Sequence, residues 1–189
     1  TSPITEQVVA TVPRGTAEDV DRAAKAAAAA IPGWSQTPVP ERVAIFKKLA
    51  RLTEARAQEI TQTMVTELGY PAHQTQVSQT DGAVEELDLI AEYLGEIKWS
   101  EQMGTARVWR EASGVLGAIT AWNGPLRSVI SKAGAAIAAG CTVVLKPSEV
   151  APLTAFIFAE ICAEAGLPAG VFNLVCGTGP EVGEAISGH

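Results

Sequence analysis

Residues 146–149, Lys-Pro-Ser-Glu, set an amine and a carboxylate three positions apart where an apolar run, Thr142–Leu145, ends. Ligands of open α/β sheets bind outside the carboxyl ends of such strands. Lys146 and Glu149 can bracket the hydroxyls of a ribose there. Glu149 accepts from a free 2′-OH and repels a 2′-phosphate. The same pair also reads as a solvated lysine and a first-turn glutamate that favours a helix dipole. A glycine cluster, Gly177-Thr178-Gly179-Pro180-Glu181-Val182-Gly183, follows the next apolar run. Its third glycine is one residue too late for the G-x-G-x-x-G fingerprint. It suits a turn that brings a dinucleotide to a helix N-terminus, with Pro180 at the first helical position. It also suits an ordinary strand-to-helix turn.

Asn123 follows Trp122 just after the apolar run Val115–Ile119. A side-chain amide at that point can stabilise an oxyanion, while Asn-Gly ahead of Pro125 is equally good turn chemistry. Lys132, between Ile130 and Ala133, is either a functional amine or a side chain that snorkels to water. Cys141 and Cys162 lie in apolar surroundings and read as small core residues. Cys176 ends a strand beside a helix start, a setting that lowers a thiol pKa. No histidine is near it in sequence, so a nucleophilic role has little support. His73 and His189 are isolated, and no metal site is expected.

The elements that must position these groups follow from periodicity. From Leu126 onward the pattern is helix, strand, helix, strand, helix: Leu126–Ala139, Thr142–Lys146, Leu153–Ala165, Val171–Val175, Pro180–Ile186. Continuous apolar strands alternating with helices predict an α/β fold with a parallel sheet buried on both faces. Upstream, Val8–Val12 reads as a short strand. Thr16 is a plausible N-cap for an Ala-rich helix that Pro32–Gly33 would stop. Glu41–Leu68 is helical, ended by Gly69 and Pro71. Ala83–Leu94 is amphipathic and helical. Thr105–Thr120 reads as strands joined around Ser113–Gly114.

Composition bounds the rest. The 189 residues are 47% hydrophobic, enough for one core. A net charge of −7 without a basic run disfavours nucleic acid as a partner. The most apolar stretch, Ala133–Leu145, is too short to span a bilayer, and no membrane association is expected. Three scattered cysteines and no signal peptide at Thr1 suit a reduced, cytoplasmic setting.

Taken in order, these segments resemble the aldehyde dehydrogenase superfamily along essentially the whole chain. The specific matches are Gly114–Asn123, Gly140–Glu149 and Ala165–Asn173. Val8–Val12 with Thr16–Ala30, Trp34 with Glu41–Arg42, and Glu67-Leu68-Gly69-x-Pro71 support them. The resemblance implies the N-terminal portion of a Rossmann-like NAD(P)-binding domain. It implies that residues 95–111 are oligomerisation strands, and that the complete protein is a homodimer or homotetramer. It implies NAD as cofactor, with NADP possible, and a small-molecule aldehyde as substrate. By the same likeness Asn123 would hold the oxyanion and Lys132 would sit near the proton relay. Ile119, Trp122, Lys146 and Glu149 would line the cofactor site, with Gly179, Pro180 and Gly183 under the dinucleotide. The sequence departs from the pattern at Ala121, Gly124, Ala135 and Cys141. Gly124 stands where an aromatic residue is usual, which loosens the Asn123 turn and removes a pocket wall. The segments that carry the family's cysteine nucleophile and general-base glutamate have no match in residues 1–189. A non-catalytic fragment that keeps part of the cofactor fold is therefore the alternative.

Overall fold

The computed structural model describes residues 1–189, and its first helix starts where the sequence places an N-cap. The Thr16 hydroxyl accepts the Asp19 N–H, and the Asp19 carboxylate accepts the Thr16 N–H at 2.8 Å, closing a capping box on α1 (Ala17–Trp34). The expected stop at Pro32–Gly33 is overturned, because Pro32 lies inside α1. Pro32 removes one N–H from the ladder, and the helix runs on only two residues beyond it, to Trp34. Trp34, 2% exposed, also ties the last turn down by donating its indole N–H to the Ile137 carbonyl at 2.9 Å.

The helical run expected from Glu41 to Leu68 is two helices, α2 (Val39–Ala55) and α3 (Ala57–Leu68). They break at Arg56, which reaches Glu59 at 2.7 Å and Glu160 on a later helix at 2.8 Å. Gly69 takes the left-handed conformation (φ 73°) that closes α3. Beyond it the chain is helical again: α4 (Ala72–Thr75), a π-helical turn (Gln76–Asp81), then α5 (Gly82–Glu96). α5 covers the helix expected at Ala83–Leu94, while the π turn breaks the 3.6-residue period and hides residues 72–81 from a periodicity reading.

Two other expectations need correction. Val8–Val12 forms no strand; Val8 and Val9 are exposed and have no strand beside them to pair with. Thr105–Thr120 holds strands at Ala106–Trp109 and Val115–Ile119 joined through Ser113–Gly114, as expected; the first, β2 (Ala106–Trp109), pairs with β1 (Ser100–Met103) in an antiparallel ribbon that is separate from the main sheet. Within 95–111, Gly95 and Glu96 belong to the end of α5.

The main sheet has three parallel strands, β3 (Val115–Ile119), β4 (Thr142–Lys146) and β5 (Phe172–Leu174), in that order. The connection from β3 to β4 runs through α6 (Pro125–Val129), a second π turn (Ile130–Gly134) and α7 (Ala135–Ala138). From β4 to β5 it runs through α8 (Leu153–Ala165). A third π turn (Gly179–Gly183) and α9 (Glu184–Ser187) follow β5. Every residue of β4 is buried. Val143 and Leu145 join the large core under α2, α3, α5 and α8, while Val144 faces the smaller cluster of Val20, Ala27, Val175 and Val182. That alternation is why the run is apolar throughout: a central parallel strand is covered on both sides. No helix is long and apolar enough to cross a membrane.

Candidate cofactor site

Three loops leave the carboxyl ends of the parallel strands side by side. They are 120–124 after β3, 147–152 after β4 and 175–178 after β5. Lys146 is the last residue of β4 and pairs in register with Ile119. Its side chain is 2% exposed. A buried ammonium needs partners. It donates to the Pro147 carbonyl and to Glu149 Oε2, each at 2.9 Å. Glu149 itself is about half exposed and lies on the Ser148–Ala151 turn, not in the first turn of α8 as the dipole alternative would have it. The Lys146 ammonium holds its carboxyl below the usual carboxylate range, helped by the Gly179 backbone N–H.

The glycine turn comes to the same place. A Cβ added to Gly183 would sit 3.8 Å from Ile119 Cδ1 and 3.9 Å from Lys146 Cδ, while one added to Gly179 would meet nothing within 4 Å. Pro180 is the second residue of the π turn Gly179–Gly183, one place beyond the first helical position expected for it, and its missing N–H still falls in the first turn, where no ladder bond is lost. Ile119, Lys146, Glu149, Gly179 and Gly183 are thus brought together. Trp122, about half exposed, and Asn123 project on the loop just beyond Ile119. The Tyr70 hydroxyl donates to the Asn123 carbonyl at 3.3 Å. Lys132 lies on the second π turn and is exposed, so neither burial nor an ion pair distinguishes it.

An adenosine dinucleotide fits this ground in three respects. Open space lies over Gly179, the Ile119 and Trp122 side chains offer apolar surface, and the Lys146 ammonium has a third donor beyond its two engaged ones. The cysteines fit catalysis poorly. All three are free and buried. Burial raises the Cys162 thiol far above its usual range and pushes Cys176 up to about 11, with Lys146 acting in the opposite sense. The helix start beyond Cys176 therefore does not lower its pKa as its place in sequence would allow.

Sequence reasoning gave no role to Arg14, Gly15 or Glu67 as parts of this region. Arg14 pairs with Glu181 at 2.9 Å across 167 positions, and Glu67 accepts the Leu153 N–H at 3.2 Å across 86. Nothing local could signal either contact. A glycine just ahead of the Thr16 cap was the one visible hint of a close approach.

Comparison with known proteins points one way. The aldehyde dehydrogenase family profile matches residues 1–189. The chain is 41% identical over its full length to a 3-succinoylsemialdehyde-pyridine dehydrogenase of a Pseudomonas species, covering 40% of that protein. It is 38% identical, over 99% of its length, to the NADP/NAD-dependent aldehyde dehydrogenase PuuC of Escherichia coli K12, covering 39% of it. Among solved structures, a variant of aldehyde dehydrogenase C from Pseudomonas syringae in complex with NAD+ and octanal superposes with a TM-score of 0.98 at 44% identity. All of this chain and 39% of that one are covered. The NAD+ complex of an aldehyde dehydrogenase from Bacillus cereus gives 0.95 at 36% identity, covering all of this chain and 40% of that one. The chain therefore spans about 40% of the length of these relatives.

Proposed function

Because the chain belongs to the aldehyde dehydrogenase family, we propose that it forms the N-terminal portion of an NAD(P)-binding domain, and that the complete protein oxidises an aldehyde to a carboxylic acid. The observation that carries this reading is the Lys146–Glu149 pair, held at 2.9 Å at the carboxyl end of β4 against Gly179 and Gly183. Glu149, kept ionised by Lys146, accepts from the ribose hydroxyls, and the spare ammonium donor of Lys146 gives to the same ribose. Ile119 and Trp122 supply apolar contact, and Gly179, Pro180 and Gly183 let the dinucleotide approach the backbone. The bound cofactor supplies the acceptor for the hydride that leaves the aldehyde carbon. Asn123 aims its amide at the oxygen on which charge develops, and Lys132 stands near the path by which protons leave. The Glu149 carboxylate favours NAD.

No residue of 1–189 is proposed as nucleophile. A thiol held protonated by burial is not reactive, so Cys162 and Cys176 are read as structural. The test uses the 189-residue chain itself. Titration with NAD, followed through tryptophan fluorescence with Trp122→Phe as control, should saturate. Glu149→Ala should weaken binding about tenfold, the loss of one charge-assisted contact. Incubation with NAD and a panel of aldehydes should form no NADH. Absence of binding by the parent chain would remove the cofactor reading. NADH formation that disappears in Cys176→Ser would make Cys176 a nucleophile.

A further inference from the structure

Asn123 stands on a short loop that is tied down at both ends and little in between. The Thr120 N–H donates to the Lys146 carbonyl at 3.0 Å, and the Gly124 carbonyl accepts the Ser128 N–H at 2.7 Å as α6 begins. Between them Ala121, Trp122 and Asn123 are exposed. Gly124 has no side chain to steady the loop. A Cβ there would make only ordinary contact, 3.5 Å from Gln79 Oε1 and from Ser128 Oγ. A single hydrogen bond reaches these three exposed residues. It runs from the Tyr70 hydroxyl to the Asn123 carbonyl, at 3.3 Å and across 53 positions.

Tyr70 is itself firmly placed. It is half-buried in the short link between α3 and α4. Gly69 before it is left-handed, and a Cβ on Gly69 would come within 3.2 Å of both the Pro3 and Ile4 side chains, so this bend is packed as well as turned. Pro71 after it keeps Tyr70 out of the helical region. The Pro71 carbonyl in turn accepts the Thr75 N–H at 2.9 Å and the Thr75 hydroxyl at 3.0 Å. The backbone on either side of Tyr70 is therefore held. A tyrosine side chain has only two main torsions left to order, so its reach to Asn123 costs little entropy.

Resting on the reading that gives Asn123 the oxyanion, we propose that Tyr70 is a positioning residue for the reaction, its hydroxyl fixing the Asn123 peptide and so the direction of the Asn123 amide. An amide stabilises developing charge best when it is aimed before that charge appears, and small misplacements cost large factors in rate. The contact is made to the backbone oxygen of Asn123, so the side-chain amide keeps its N–H groups for the substrate. It also ties the α3–α4 link to the loop ahead of α6. The loop thus keeps its place although residue 124 has no side chain to pack.

Steady-state kinetics of the complete protein, with amide nitrogen relaxation measured by NMR on the 189-residue chain, test it. Tyr70→Phe keeps the ring and loses the hydroxyl. It should lower kcat about three- to tenfold, the range of one neutral hydrogen bond, and leave KM for the aldehyde and Kd for NAD unchanged. Asn123→Ala should lower kcat about a hundredfold or more, and adding Tyr70→Phe to it should lower kcat no further. In the 189-residue chain Tyr70→Phe should make the Asn123 side-chain amide more mobile on the fast timescale that relaxation reads. Equal kcat in the parent and Tyr70→Phe, the same further loss in the Asn123→Ala background, or unchanged amide mobility would overturn the role of Tyr70 while sparing that of Asn123. A parental kcat in Asn123→Ala, or a complete protein that oxidises no aldehyde, would overturn the oxyanion reading and this inference with it.

Discussion

Glu67 is 7% exposed, one of its oxygens accepts the Leu153 N–H at the start of α8, and the other has no partner. Burial pushes its pKa up to about 7. The folded chain thus holds this proton more tightly than the unfolded chain does. The stabilisation is full below the unfolded pKa of about 4.3 and is lost as pH rises through about 7. Glu67→Gln keeps an acceptor for Leu153 and carries no charge, so it should be more stable than the parent at pH 8 by on the order of 2–3 kcal/mol and nearly equal at pH 4. Thermal unfolding across that range checks it; a difference in Tm that does not grow with pH would remove Glu67 as its source. The residue scale also marks what was legible from sequence. Lys146 and Glu149 could be placed because a strand end is a local signal. Glu67 could be quoted in a turn motif, but its burial depends on α8, which lies 86 positions away.

At the scale of elements, β4 and α8 are found where the sequence predicts them, since an unbroken apolar run and a 13-residue apolar helix are bounded by local turns. What was hidden is whatever depends on a distant neighbour. The 12–15 segment lies between the strand expected at Val8–Val12 and the Thr16 cap, and its shape is set by the end of β5, where the Gly15 N–H donates to the Cys176 carbonyl. That contact leads to a definite expectation for Gly15→Ala. The new methyl group would meet the Cys176 carbonyl at 2.5 Å and Val175 Cγ1 at 2.9 Å, and a backbone oxygen cannot step aside. The segment must lift, at roughly 1–3 kcal/mol in the manner of an overpacked core. Chemical denaturation should show that loss, and amide exchange at Gly15 should speed up. A chain of unchanged stability would mean that 12–15 is not seated on β5.

For the molecule as a whole, the ribbon of β1 and β2 raises the question of assembly. Two strands alone are marginal in water, and here Met103 is 60% exposed and Trp109 62%. Arg107 lies 5.0 Å from the Trp109 ring centroid, which covers only part of it. We propose that this ribbon meets another copy of the chain, as expected of a homodimer or homotetramer. Trp109→Glu places a charge on that surface, a common guard against edge pairing, and should shift sedimentation toward monomer without changing Tm. A parent chain that sediments as monomer at every concentration would take this role away from the ribbon. The three π-helical turns, Gln76–Asp81, Ile130–Gly134 and Gly179–Gly183, bear on how this chain tolerates changes in length. Each fits one residue more into its turn than the regular ladder requires. Removing Val77 from the first should let the ladder close as α-helix, with the flanking faces still meeting their partners. Removing Lys47 from the regular α2 should instead rotate everything beyond it by about 100° and turn the core face of that helix away. Cooperative unfolding kept by the first deletion and lost by the second would mark the π turns as the places where this fold can change length.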